Sequence, residues 1–305
     1  MHWQVILLIV IILVSVGLSK LPFLDFWRTG GEVNMTTVAT STQTISAPSE
    51  ERKTPVRNWE VPDPVTNARA IIVQSLDDNF PFFRYNSDAA WPMASLTKLM
   101  TAVIIMERGG LNQKTTVSGS AVKTEGTAGD LRAEEMYTIE DLLKIMLMSS
   151  SNDAAVAIEE HIGKDVLLDS VNKKEKEIGM TETVINDASG LDDTNTTTAR
   201  DMLMLLKYIL AKDPDILRWT RLTSLLVQPV NSERSHAVPN IDFLATRPDF
   251  LGGKTGTSPL ARENLTAILS FRNRRIAVII LGSKDRVKET NDLLEWIEKA
   301  YTFGP

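Results

Sequence analysis

The chain has 305 residues, 43% of them hydrophobic and 24% charged, enough to bury one large core with room for an inserted helical lobe. A net charge of −6 offers no basic surface and speaks against a nucleic-acid partner. There is no cysteine, which is compatible with an extracytoplasmic protein, and the three histidines (His2, His161, His236) confine any Ser-His-Asp site to the last two.

Residues 1–20 stand apart from the rest. Every residue from Val5 to Val14 is aliphatic, and as a helix the apolar stretch Trp3–Leu18 spans about 24 Å against a hydrocarbon core of about 30 Å. It reads as an N-terminal membrane anchor or a signal peptide. Ser15-Val16-Gly17 is a small-residue cleavage site, but there is no A-x-A signal, which favours the anchor. Charge does not orient the segment, because Lys20 and Arg28 follow it and only the α-amine and His2 precede it. Residues 21–56 read as a linker: from Thr29 to Val56 the chain is Ser/Thr-rich, with Pro48 and Pro55 and no apolar period. Residues 57–305 form the folded unit, and the N-x-T triplets at Asn34, Asn195 and Asn264 are chance matches.

The folded unit opens with a strand, Ala68–Val73, and a turn through Asp77-Asp78-Asn79 to a return strand, Phe82–Tyr85. From Ser95 onward, Leu96, Leu99, Met100, Val103, Ile104 and Met106 recur at helical spacing until Gly109-Gly110 stops the run. Thr138-Ile139-Glu140-Asp141 is a capping box for a helix with Leu142, Leu143 and Met146 on one face. Ser150-Ser151-Asn152 breaks that helix, and Ala154, Ala155, Ile158 and Ile162 continue after the break. Thr198 to Asp201 caps a further helix carrying Met202, Leu205, Leu206, Ile209 and Leu210. Asn264–Phe271, the polar turn Arg272–Arg275 and Ile276–Leu281 make a hairpin, and a last helix carries Leu293, Leu294, Ile297 and Tyr301. Strands at both ends with helices between them predict an α+β fold, its antiparallel sheet built from N- and C-terminal strands.

Three motifs on these elements carry chemistry: Ser95-Leu96-Thr97-Lys98, Ser150-Ser151-Asn152 and Lys254-Thr255-Gly256. S-x-x-K also occurs at Ser120–Lys123 and Ser170–Lys173. The first of these lies in a polar loop and the second on a charge-rich, solvated helix, Asp165–Glu175, so both read as structural. Ser95 opens a buried helix. It would serve there as a plain N-cap or as a nucleophile, because residues three apart share a helix face and burial beside a second cation favours a neutral Lys98 that takes the serine proton. Ser151, Asn152 and Asp153 are likewise good caps, or else a hydroxyl and an amide exposed at a helix junction. Gly253-Lys254-Thr255 ends like a phosphate-binding loop, but that loop needs a glycine at position 248, where Pro248 stands, and a helix afterwards, where strands follow. A strand-edge Lys-Thr-Gly binds a carboxylate instead, and its glycine lets a substrate backbone approach.

The block Pro92–Ala102 together with these motifs, Tyr137–Leu143, Ser189-Gly190-Leu191-Asp192-Asp193 and Thr198-Ala199-Arg200-Asp201 resembles the serine D-Ala-D-Ala carboxypeptidases, the low-molecular-mass penicillin-binding proteins of peptidase family S11, from about Asn67 to the C-terminus. The resemblance implies a β-lactamase/DD-peptidase-like fold and a serine peptidase that removes the terminal D-Ala from peptidoglycan stem peptides and is acylated by β-lactam antibiotics. It implies Ser95 as nucleophile, Lys98 as base, Ser150 as proton relay to the departing amine, and Asn152 as the residue that orients Lys98 and the substrate amide. Lys254 and Thr255 would bind the terminal carboxylate beside Gly256, and the backbone amides of Ser95 and Thr257 would form the oxyanion hole. No cofactor or metal is implied. The site would lie on the extracytoplasmic face of a bacterial membrane, held there by the N-terminal segment. One departure is that Arg262 and Glu263 stand where the family usually has a glycine, at the rim of the cleft. The rival readings are a D,D-endopeptidase of peptidoglycan cross-links, a class A-like β-lactamase using Glu182 with Asn186, and an inactive wall-binding module.

Overall fold

The computed structural model describes residues 54–126 and 128–304; the anchor or signal peptide read at residues 1–20 and most of the 21–56 linker lie outside them. The centre is a five-stranded antiparallel sheet of β1 (Ala70–Ser75), β2 (Pro81–Tyr85), β3 (Phe250–Ser258), β4 (Arg262–Phe271) and β5 (Arg274–Ser283), in the order β3-β4-β5-β1-β2. The first strand pairs with the last, Ile276 opposite Ser75 and Leu281 opposite Ala70, so the two ends of the chain close one sheet as the α+β reading requires.

Strand β5 is buried on both faces, which is why its sequence is continuously aliphatic although the sheet is antiparallel. Ile276, Val278 and Ile280 pack with Leu293, Trp296 and Ile297 of the C-terminal helix, while Ala277, Ile279 and Leu281 face the helical part of the molecule. Each buried isoleucine contributes about 1.5–3 kcal/mol, so this strand anchors both layers. The β4–β5 turn is held by Arg272 and Asn273, both at positive φ (49° and 56°), the twist a two-residue hairpin loop needs.

The inserted lobe holds α1 (Thr97–Arg108), α2 (Ile139–Met148), α3 (Asn152–Ile162), α4 (Lys164–Ile178), α5 (Ala199–Lys212) and the short α6 (Pro214–Thr220); α7 (Arg286–Ala300) covers the other face of the sheet. The predicted caps form: Thr138 Oγ1 accepts from the Asp141 amide at 3.0 Å and Thr198 Oγ1 from the Asp201 amide at 3.1 Å. One boundary differs from the sequence reading. Tyr301 lies beyond the last helix, in a short strand Tyr301–Thr302 that pairs with Val56–Arg57, so the chain is already tied to the fold at Val56. The α2–α3 break falls where the sequence places it, with Ser150 at φ +58° and Ser151 capping α3 at the Ala154 amide. No helix among the described residues is long and apolar enough to cross a membrane.

Candidate active site

Ser95 sits in the middle of a 3₁₀ turn, Ala94–Leu96, that feeds directly into α1. The α-helical N-cap is Leu96, and no side chain caps either the turn or the helix, so of the two readings of Ser95 the plain N-cap is not the one found. Its hydroxyl is left for Lys98, whose Nζ stands 3.0 Å from Ser95 Oγ. The turn is strained: Ala94 has φ +47°, a conformation a residue with a Cβ adopts at a cost of about 1–3 kcal/mol. Neighbours hold it there. Gly190 packs against the Ala94 carbonyl in a space no Cβ could share, and Asn264 Nδ2 donates to the carbonyls of Pro92 (2.9 Å) and Met93 (3.2 Å).

Lys98 is completely buried. Besides Ser95, its ammonium reaches Asn152 Oδ1 and the Ser189 carbonyl, both at 2.6 Å. Asn152 is itself fixed, because its Nδ2 donates to the Glu125 carbonyl at 2.7 Å. Burial drives the Lys98 pKa well below its ordinary value, the positive charge of Lys254 pushes the same way, and the Asp187 carboxylate opposes them. A lysine so placed gives up its proton far more readily than one in water, as a base for serine requires.

The third motif arrives on β3, the edge strand. Lys254 Nζ donates to Ser150 Oγ at 2.9 Å and to the Thr255 carbonyl at 2.9 Å. It too is buried, its pKa lowered to about 7 by burial and by Arg286 against the pull of Asp242. Gly256 brings the strand against the nucleophile turn, since a Cβ there would lie 2.8 Å from the Met93 carbonyl oxygen and 3.3 Å from the Ser95 amide nitrogen. Thr255 is buried next to Lys254, and Thr257 is exposed at the cleft rim. The structure therefore joins Ser95, Lys98 and Asn152 in one group and Ser150 with Lys254 in a second, and Gly256 lays the strand that carries Lys254 beside the Ser95 turn. Among the described residues, Ser150 Oγ is bonded to Lys254 and not to Ser95 or Lys98.

The alternatives assemble no comparable site. Ser120 donates to Glu160 and Ser170 back-bonds to the Val166 carbonyl, both exposed. Neither histidine meets a serine: His161 contacts Gln113 and His236 the Gly129 carbonyl. Glu182 is exposed, with its backbone amide on Asp201, and Asn186 bonds Thr194. Among the described residues no group of three His, Cys, Asp or Glu is placed to hold a metal ion.

Two site residues escaped the sequence reading. Asn264 was passed over as a chance N-x-T triplet, yet it is fully buried, and besides bonding the nucleophile turn it accepts from the Gly282 amide at 2.8 Å. An amide at the head of the mostly apolar run Asn264–Leu269 was the signal. Arg286, the first residue of α7, donates from Nη1 to Thr257 Oγ1 (2.7 Å) and the Gly256 carbonyl (3.3 Å), which puts a guanidinium on the cleft rim. No local pattern marked it.

Residues 59–285 match the family described as D-alanyl-D-alanine carboxypeptidase, peptidase S11. The chain belongs to that family. Within it, the chain is 26% identical over 249 residues to the D-alanyl-D-alanine carboxypeptidase DacF of Bacillus subtilis, covering 78% of this chain and spanning 64% of that relative's length. It is 32% identical over 244 residues to a D-alanyl-D-alanine endopeptidase of Haemophilus influenzae, covering 76% and 81% of the two chains. The crystal structure of a D-alanyl-D-alanine carboxypeptidase from Mycobacterium tuberculosis superposes with a TM-score of 0.73 at 24% identity over 82% of this chain and 99% of that one, which establishes the S11 fold here.

Proposed function

We propose that the protein is a serine-type D-Ala-D-Ala carboxypeptidase that trims peptidoglycan stem peptides through a Ser95 acyl-enzyme. The observation that carries this is the buried Lys98 ammonium 3.0 Å from the Ser95 hydroxyl. Neutral Lys98 takes the hydroxyl proton as Ser95 Oγ bonds to the carbonyl carbon of the penultimate D-Ala, and the backbone amides of Ser95 and Thr257 receive the oxyanion. When the C–N bond breaks, the departing amine takes the Ser150 hydroxyl proton, and the Lys254 ammonium bonded to that oxygen replaces it. Water then hydrolyses the ester: the proton it gives up restores Lys254, and Lys98 returns to Ser95 the proton it took.

The rim supports a reading in which the substrate carboxylate lies between Thr255 and the Arg286 guanidinium, with Lys254 behind it. Arginine suits this role better than the buried Lys254, which titrates near pH 7 and is already bonded to Ser150 and a carbonyl. A carboxylate-reading rim favours a free C-terminus, hence carboxypeptidase over endopeptidase. With a defined stem pentapeptide, mass analysis should find loss of one D-Ala well before any cut in a cross-linked dimer. Faster cleavage of the dimer would make the protein an endopeptidase, as some relatives are named. β-Lactams would acylate Ser95 by the same steps.

The site would act on the outer side of the membrane, tethered by residues 1–20 through the Ser/Thr-rich linker. The full chain should then sediment with membranes and retain its first residues, while a chain beginning near Pro55 should be soluble and still bind penicillin. A mature N-terminus near Leu18 would identify a cleaved signal peptide instead.

A further inference from the structure

We propose that Glu263, on the strand beside Lys254-Thr255-Gly256, is a positioning residue that holds the Arg286 guanidinium at the cleft rim and so sets the preference for a carboxylate-ended substrate; this rests on the carboxypeptidase reading above. Glu263 faces Thr257 in the β3–β4 ladder and Ser283 in the β4–β5 ladder, next to the irregularity between Glu263 and Leu265. Its Oε2 accepts the backbone N–H of Arg286 at 2.9 Å. The side chain of that same residue spans to Thr257 Oγ1 and the Gly256 carbonyl. One carboxylate thus ties β4 to the first residue of α7, and through it to the strand that carries the third motif.

The choice of partner matters. Glu263 bonds the backbone of Arg286, and among the described residues no carboxylate forms an ion pair with the Arg286 guanidinium. The acid is matched instead by the α7 N-terminus, whose unpaired N–H groups and dipole favour an anion. Asp285 Oδ1 takes the Lys288 amide of the same turn at 2.9 Å. Two acids therefore fix the start of the helix while the guanidinium keeps its charge for a ligand. Beside Glu263, Arg262 takes φ +57°, the left-handed backbone that a glycine would adopt freely at the position where the family usually has one.

The test compares a stem peptide ending in D-Ala-D-Ala with the same peptide ending in a carboxamide. Glu263→Ala should raise KM for the acid about 10-fold with kcat nearly unchanged, leave kcat/KM for the amide within about 2-fold, and speed hydrogen exchange of the Arg286 amide at least 10-fold. Glu263→Gln should restore all three, because its amide oxygen accepts the same N–H. In an Arg286→Ala background, Glu263→Ala should add less than about 2-fold. Equal losses on acid and amide, or losses that add to those of Arg286→Ala, would overturn the positioning role. If the wild-type protein itself shows no preference for the acid, the carboxypeptidase reading fails, and the exchange rates alone then decide whether Glu263 holds Arg286.

Discussion

Ser95→Ala should abolish covalent labelling by a fluorescent penicillin, and Lys98→Ala should slow acylation on the order of 10⁶-fold, since removing one member of a coupled nucleophile and base costs nearly as much as removing both. Ser95 makes no capping bond, its turn is strained at Ala94, and its oxygen is within reach of a buried lysine with two further acceptors, Asn152 Oδ1 and the Ser189 carbonyl. Lys98→Arg should not rescue the rate, because a guanidinium stays protonated in this pocket. Mass mapping of the labelled peptide checks the site; modification at Ser120 or Ser170 would refute the assignment.

The second large effect concerns pH. Acylation needs neutral Lys98, whose burial eases loss of its proton, and charged Lys254, so kcat/KM should gain with rising pH as Lys98 deprotonates and lose through about pH 7 as Lys254 gives up its charge. Lys254→Ala should reduce acylation about 10- to 100-fold, through loss of the charge-assisted hydrogen bond that holds Ser150 and of the cation behind the substrate carboxylate. It should also remove the falling limb. The rising limb should move to higher pH, since deleting the cation that disfavours the Lys98 ammonium lets the Lys98 pKa rise. Rates of penicillin labelling between pH 5 and 10 read both limbs, and a falling limb that persists in Lys254→Ala would assign it to another group.

The sequence by itself determined what local geometry encodes. Residues three apart share a helix face, and the apolar run after Ser95 marks a buried helix, so the Ser95 and Lys98 pair was legible from spacing and setting together. Thr138 and Thr198 were legible as caps, because a threonine three residues before an aspartate meets that residue's amide in the first turn. The β4–β5 hairpin was legible from two β-rich runs around a polar turn. The tertiary structure gathers buried partners around the S-x-x-K motif that sequence context already favoured, Ser95–Lys98, and none around the other two. It does so by closing the sheet between the chain ends, bringing Lys254 to Ser150 across 104 positions and the Ser189 carbonyl to Lys98 across 91. It also decided that Ser95 lies in a 3₁₀ turn and is not a cap, that Asn264 holds the Ser95 turn, and that Arg286 reaches Thr257 and the Gly256 carbonyl. The physical reason is that these contacts run through backbone carbonyls and amides, which every residue carries, or join strands and helices whose adjacency follows from packing both faces of β5. No spacing along the chain records such a meeting.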